Sequence, residues 1–272
     1  MGGKRLGSFR AGDRAEYLAF FALSRIAFVQ PVTRQEDFGV ADFMCVLSAK
    51  EGRRVYPRTA FYVQVKSGKR KVVYDGDATH WISQHMDHPL LLCFCDKTAS
   101  RLTFYSCSRI WHALFGNPRP ARLTLVLDSA GPDFHFEPDN LTPEGIKVHL
   151  GPPILERTVT QLEANPGLAY EVLDPWIRLD VTNIARRRIG RIASMSFDSW
   201  TSNAPPTDAL RVGYHYHGYE AAERELAPIL TALAHNYNHV NDRSRLAALR
   251  PLLQVVRPYL DQQGRDFADG KI

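Results

Sequence analysis

Apolar and polar positions alternate along Ala60-Phe-Tyr-Val-Gln-Val-Lys-Ser-Gly68. Successive side chains of a strand point to opposite faces, so Phe61, Val63 and Val65 share one face and Tyr62, Gln64 and Lys66 the other. The first set is β-favouring and suits a packed face. The second sets an amide beside an ammonium two residues on, where a Lys needs solvent, an acid or a phosphate. Upstream, Gly39-Val-Ala-Asp42 opens a second strand, Asp42-Phe-Met-Cys-Val-Leu47. Between them, Ser48 to Thr59 contains Gly52, Arg53, Arg54 and Pro57, which is loop chemistry. The pattern predicts a hairpin whose rim gathers Asp42, Gln64 and Lys66.

The same reading extends along the chain. Glu16, Phe20, Leu23 and Ala27 recur at helical spacing, predicting a helix over about 12–27 with Glu16 on its core side. Phe28 to Val32 reads as a short extended piece limited by Pro31. Val72-Val-Tyr74 reads as a strand and Ala78 to Asp87 as a helix. Leu90 to Cys95 is continuously apolar between Pro89 and Asp96, which suits a strand buried on both faces. Arg101 to Cys107 and Arg122 to Leu127 read as strands, Phe134 to Phe136 as a weak one, and Ile110 to Phe115 as a short helix. Strands with helices before and between them predict an α/β (α+β) fold, a mixed central sheet flanked by helices.

From Thr142 the texture changes. Pro143, Gly145, Gly151, Pro152 and Pro153 mark a connection, giving an expected division into 1–140 and 141–272. Thr158 to Asn165 reads as a helix, and Pro175 to Val181 as a short apolar piece. The tail reads as a helical hairpin. One stripe is Ala222, Leu226, Ile229, Leu233 and Tyr237, and the other is Leu246, Leu249, Leu253, Val256 and Leu260. Pro251 and Pro258 are expected to kink or split the second helix. Such a hairpin caps its own domain or packs on a protein partner, including a second subunit.

The 272 residues carry a formal charge of +5, compatible with a polyanion partner without requiring one. Positive charge gathers twice. Lys69, Arg70 and Lys71 follow the Lys66 strand, as a phosphate grip or a solvated hairpin tip. Arg186, Arg187, Arg188 and Arg191 form the densest cluster, as a nucleic-acid backbone contact or a solvated helix face. The four cysteines, Cys45, Cys93, Cys95 and Cys107, sit in apolar runs and read as free buried thiols of a reducing compartment. No histidine or cysteine pair has the spacing of a zinc site. No apolar run approaches the ~20 residues of a membrane span, and no secretory leader is visible, so a cytoplasmic protein without membrane contact is expected.

A helix bearing Glu16, then Gly39-Val-Ala-Asp42, then Gln64-Val-Lys66-Ser-Gly68 resembles the PD-(D/E)XK nuclease superfamily. There an Asp starts one strand and a (D/E/Q)-x-K triplet lies on the next. The Gln form resembles Mrr-like restriction endonucleases and a related bacterial defence-associated domain. The likeness covers about the first half of the chain. Family members show Asp-x-Gly-(Ile/Val)-Asp, whereas Asp37-Phe-Gly-Val-Ala-Asp42 is one residue longer. Asp42 is favoured as the site acid because it directly precedes the apolar strand, with Asp37 a loop acid. The resemblance implies a restriction-endonuclease-like mixed sheet and a metal-dependent endonuclease acting on DNA in antiphage defence or restriction. It further implies catalytic Asp42, Gln64, Lys66 and Glu16, with Mg²⁺ or Mn²⁺ held by Asp42, Gln64 and Glu16. Glu16 reads equally as a first-turn acid favoured by the helix dipole. The rival expectations are a catalytically silent subunit that binds nucleic acid or a partner protein, and a purely structural α/β domain.

Overall fold

The structure is a computed structural model. It describes residues 7–32, 39–51, 54–68, 71–116, 120–127, 141–142, 145–187, 191–195, 200–206, 210–214 and 219–268. Two compact units divide the chain: Met1–Ile184 with Ile192–Val212, and Ala185–Arg191 with Gly213–Ile272. The proline- and glycine-rich stretch from Thr142 falls within the first unit. Asp37, Lys69, Arg70, Arg188 and the strand expected at Phe134 to Phe136 lie outside the described residues.

The first unit is built on a six-stranded mixed sheet. In chain order its members are β1 (Ala27–Pro31), β2 (Phe43–Glu51), β3 (Arg54–Lys66), β5 (Leu90–Asp96), β6 (Arg101–Ser106) and β10 (Leu155–Thr158), and neighbours in space follow the same order. All pairs are antiparallel except β3–β5, which runs parallel with Val65 opposite Cys93. A second sheet joins β4 (Lys71–Asp75), β7 (Arg122–Val126), β9 (Gly145–His149) and the two-residue β8 (Leu141–Thr142). The strand expected at Val72 to Tyr74 therefore exists but leaves the main sheet. The remaining pair is β11 (Arg191–Met195) with β12 (Leu210–Tyr214). The helices are α1 (Gly7–Leu23), α2 (Gly76–Gln84), α3 (Arg109–Gly116), α4 (Val159–Ala164), α5 (Pro166–Arg187), α6 (Tyr219–His239) and α7 (Arg243–Ala268). The expected mixed α/β fold with a helical C-terminal part is what the chain adopts. Among the described residues no helix is long and apolar enough to cross a membrane.

Two cores lie on the two sides of the main sheet. Phe61, Val63 and Val65 of β3 enter the first core with Cys45, Cys93, Phe104, the small residues Ala15, Ala19 and Ala22 of α1, and Trp176 and Ile177 of α5. Leu90 and Leu92 enter the second with Val72 and Tyr74 of β4, Ile82 of α2, Trp111 of α3, Leu125 of β7 and Val148 of β9. Thus β5 is covered on both faces, as its unbroken apolar run requires. All four cysteines are free and buried.

Several expectations shift. The first helix ends at Leu23 and Ala27 opens β1; Leu23 is buried as expected, but Ala15, Ala19 and Ala22 fill the rest of the core face and Phe20 and Phe21 are exposed. Alanines win because small side chains let α1 approach the sheet closely. Ser48 to Thr59 is mostly a ribbon, in which β2 and β3 keep pairing from Ser48–Pro57 to Glu51–Arg54 after a register shift between Val46 and Ser48. Pro175 lies inside the 22-residue α5. Its neighbours Val172, Leu173, Trp176 and Ile177 are all buried, and this packing outweighs the usual ~3 kcal/mol cost of an interior proline. α7 likewise continues through Pro251 and Pro258 without splitting. The expected helix at Thr158 forms with Thr158 as N-cap, its side chain and that of Gln161 completing a capping box.

Because Leu91 and Leu92 enter different cores, Leu91→Ala and Leu92→Ala should each cost about 2–5 kcal/mol. Urea denaturation would measure both. A near-neutral effect of either would show that one face of β5 is not packed.

Candidate active site

The rim expected from the sequence is formed where β2 begins and β3 ends. Asp42 precedes β2. Its N–H donates to the Val63 carbonyl at 2.9 Å, and its carbonyl accepts from Val32 N–H at 3.0 Å, so its backbone is fixed between the β1 and β3 ends. Its carboxylate then takes the next bond of the ladder: Oδ2 accepts from Val65 N–H at 2.6 Å. A charge-assisted bond of this length is stronger than an ordinary amide–carbonyl bond. It seats the carboxylate on the amide between Gln64 and Lys66.

Gln64 is only 2 % exposed, so its amide must be satisfied by protein. Nε2 donates to the Gly39 carbonyl at 3.0 Å, and Oε1 accepts from the Tyr74 hydroxyl. Gly39 has φ 78°, in the left-handed region that favours glycine. Tyr74 comes from β4, in the other sheet, and is itself buried. One amide thus ties together the turn before Asp42, the main sheet and the small sheet. The chemistry also says why an amide stands here: a Glu carboxylate has no hydrogen to offer the Gly39 carbonyl.

Lys66 is the last residue of β3, opposite Phe94, and is half-buried. Glu16, also half-buried, is carried by α1, which packs on β3 and β5 through the neighbouring Ala15 and Ala19. Beneath the rim lie Cys45, Cys93 and Cys95. Burial pushes the Cys93 thiol well above its ordinary value, and the charges of Cys95, Cys45 and Asp42 push the same way; burial raises Cys45 and Cys95 too. All three thiols pack in the first core.

The structure brings Asp42, Gln64 and Lys66 together and sets Glu16 on the helix over the same strands. Lys71 is exposed at the start of β4. Arg186 and Arg187 occupy the last turn of α5, where cations complement the helix dipole, and belong to the other compact unit. Among the described residues no three His, Cys, Asp or Glu side chains gather as a metal cluster. Of the two expected acids, Asp42 is at the rim, while Glu16 is carried by α1 on the Val65 side of the sheet. The Gln64 oxygen already holds the Tyr74 hydroxyl.

Sequence reasoning missed Tyr74 and the Gly39 carbonyl. Val72 and Tyr74 alternate with exposed Val73 and so announce a buried face, but nothing in the alternation says that this face meets Gln64. Comparison with protein-family models, with curated proteins and with solved structures finds no match for this chain.

Gln64→Glu should destabilise the first unit by about 1–3 kcal/mol at neutral pH, the cost of leaving a buried acceptor unsatisfied. The introduced carboxyl would have a folded-state pKa raised by burial and by the facing carbonyl. The penalty should therefore be full at high pH and shrink as pH falls through that raised value, where the acid's O–H can donate to Gly39. Tyr74→Phe should cost a similar amount with no such pH dependence. Denaturation across pH reads both, and a pH-independent Gln64→Glu penalty would refute the Gly39 pairing.

Proposed function

We propose that this protein hydrolyses nucleic-acid phosphodiester bonds with a hard divalent cation, Mg²⁺ or Mn²⁺, and that its substrate is DNA. The supporting observation is the seating of the Asp42 carboxylate on the Val65 amide, between Gln64 and Lys66. A cation held there by Asp42 and Glu16 would polarise the phosphate and lower the pKa of a bound water. Lys66 supplies fixed positive charge for the phosphoryl oxygens as negative charge develops on them, and orients the attacking water. Gln64 acts as a positioning residue. Its two bonds hold the Gly39 turn, and through it Asp42, against β3. Lys71 at the start of β4, with Lys69 and Arg70 before it in the sequence, offers cations to the phosphates flanking the reacting one. The setting in antiphage defence or restriction is the one that the resemblance to Mrr-like nucleases implies.

A second reading is favoured by one observation. The Gln64 amide is engaged at both ends in holding the fold, and a silent nuclease-type subunit that binds nucleic acid or a partner protein would keep the same arrangement.

The test is cleavage of supercoiled and linear DNA with Mg²⁺ or Mn²⁺. Asp42→Asn keeps an oxygen for the Val65 N–H while removing the charge, so a folding defect is avoided. Asp42→Asn and Lys66→Ala should each lower the cleavage rate by at least about a hundredfold, the scale of losing one electrostatic contribution. An inactive parent that still binds DNA with salt-dependent affinity would transfer the assignment to the second reading. Unchanged cleavage in both variants would place any nuclease chemistry elsewhere.

A further inference from the structure

α6 and α7 bury little between them. Ala227, Leu230 and Val256 make their seam, with Leu249, Leu253 and Tyr259 partly buried around it. For helices of 21 and 26 residues this is a small core, and units of such size usually need oligomerisation or crosslinks to stand. Large apolar side chains are meanwhile left outside the seam: Leu226, Ile229 and Leu233 on α6, Leu252 and Val255 on α7. Ile229 is 55 % and Val255 52 % exposed. The stripe that the sequence offers on α6 is thus not the seam but a flank.

Helix geometry decides whether the two flanks are one surface. At about 100° per residue, Leu226, Ile229 and Leu233 lie roughly a quarter turn from the α6 seam. Leu252 and Val255 lie roughly a quarter turn from the α7 seam, in the same rotational sense. The helices are joined by a short turn and run antiparallel, with Tyr259 O–H donating to Glu223 Oε2 at 3.1 Å near the far end. Equal rotation on antiparallel helices brings both flanks to the same side. Tyr237 and Ala248 fall on that side too, whereas Arg224, Arg250 and Arg257 fall on the other. The result is an apolar face across two helices, with Arg245 at its turn end, where its guanidinium lies 5.6 Å over the Tyr237 ring. With helices about 10 Å apart and some 25 Å of shared length, its footprint is roughly 500 Å². Two copies face to face would cover about 1,000 Å² in total, the threshold of a specific interface.

The charges indicate what covers it. The first two turns of α6 carry Glu220, Glu223, Arg224 and Glu225, a net negative end. The opposite end of the hairpin carries Asp242, Arg243, Arg245 and Arg250, a net positive one. A two-fold axis along the helices would stack like ends, whereas an axis across them stacks opposite ends. We propose that this face seats a second copy of itself about an axis across the helices, forming an antiparallel four-helix bundle. The midpoints of both helices then sit on the axis, so Ile229 meets the partner subunit's Ile229 and Val255 meets the partner subunit's Val255.

The experiment uses the full chain. Sedimentation at micromolar concentration should show a dimer, and Ile229→Lys and Val255→Lys should each give a monomer with the helical circular dichroism of the parent. Ile229→Cys should form a disulfide-linked dimer on oxidation, resolved on a non-reducing gel, while Arg250→Cys on the charged side should not. The native thiols are buried and do not compete. This pair keeps the test valid even if the lysine variants fail to fold. A monomeric parent would mean that the face is covered by its own chain or by another protein, and would overturn the proposal. So would a dimer that survives Ile229→Lys, or crosslinking equal at positions 229 and 250.

Discussion

The parallel pairing of β3 with β5 constrains everything around it. Both strands have protein on each side, the α1–α5 core on one and the small sheet with α2 and α3 on the other. A polar side chain in that position has no water to turn to. Gln64 is such a side chain, and the structure answers by bringing a carbonyl from one direction and a hydroxyl from another. Removing either would leave a buried polar atom exposed to an apolar surrounding, which costs more than the bond itself contributes. The arrangement of the Gly39 turn and the docking of β4 are therefore consequences of one amide in the middle of a sheet.

That requirement also separates two roles which a motif runs together. In the string Gln64-Val65-Lys66 every position is engaged differently: Gln64 inward to the second sheet, Val65 through its backbone to Asp42 and through its side chain to the first core, Lys66 at the strand end. The acid is positioned by the backbone of the middle residue. A side-chain substitution at 65 would leave that bond in place, and no pattern of side-chain types could have revealed it.

Much of the fold was legible because period-two alternation and one unbroken apolar run are strong signals. Phe61, Val63 and Val65 face one way as expected, and Leu90 to Cys95 is buried apart from the half-buried Phe94. The candidate site was legible to the extent that Asp42, Gln64 and Lys66 lie on elements joined by a hairpin. What escaped the sequence has definite causes. α1 is set by alanines, which carry little hydrophobic signal but allow close approach, so the larger Phe20 was read into the core face. The β2–β3 ribbon was hidden by Arg54, Pro57 and Arg58, whose composition reads as loop although the backbone keeps pairing. Pro251 and Pro258 suggested a split that α7 does not show. Tyr74 reaches Gln64 through a contact between sheets, and such contacts leave no periodicity to read.

The distribution of the cysteines gives the molecule an internal gauge of its own opening. Cys45, Cys93 and Cys95 belong to the first core and Cys107 to the second. Burial holds each thiol above its ordinary value, with the Asp180 charge adding to the effect at Cys107. Only the thiolate reacts with an alkylating reagent, so modification must wait for a core to admit solvent. The number of alkyl groups acquired, three or one, would then report which side of the main sheet comes apart first.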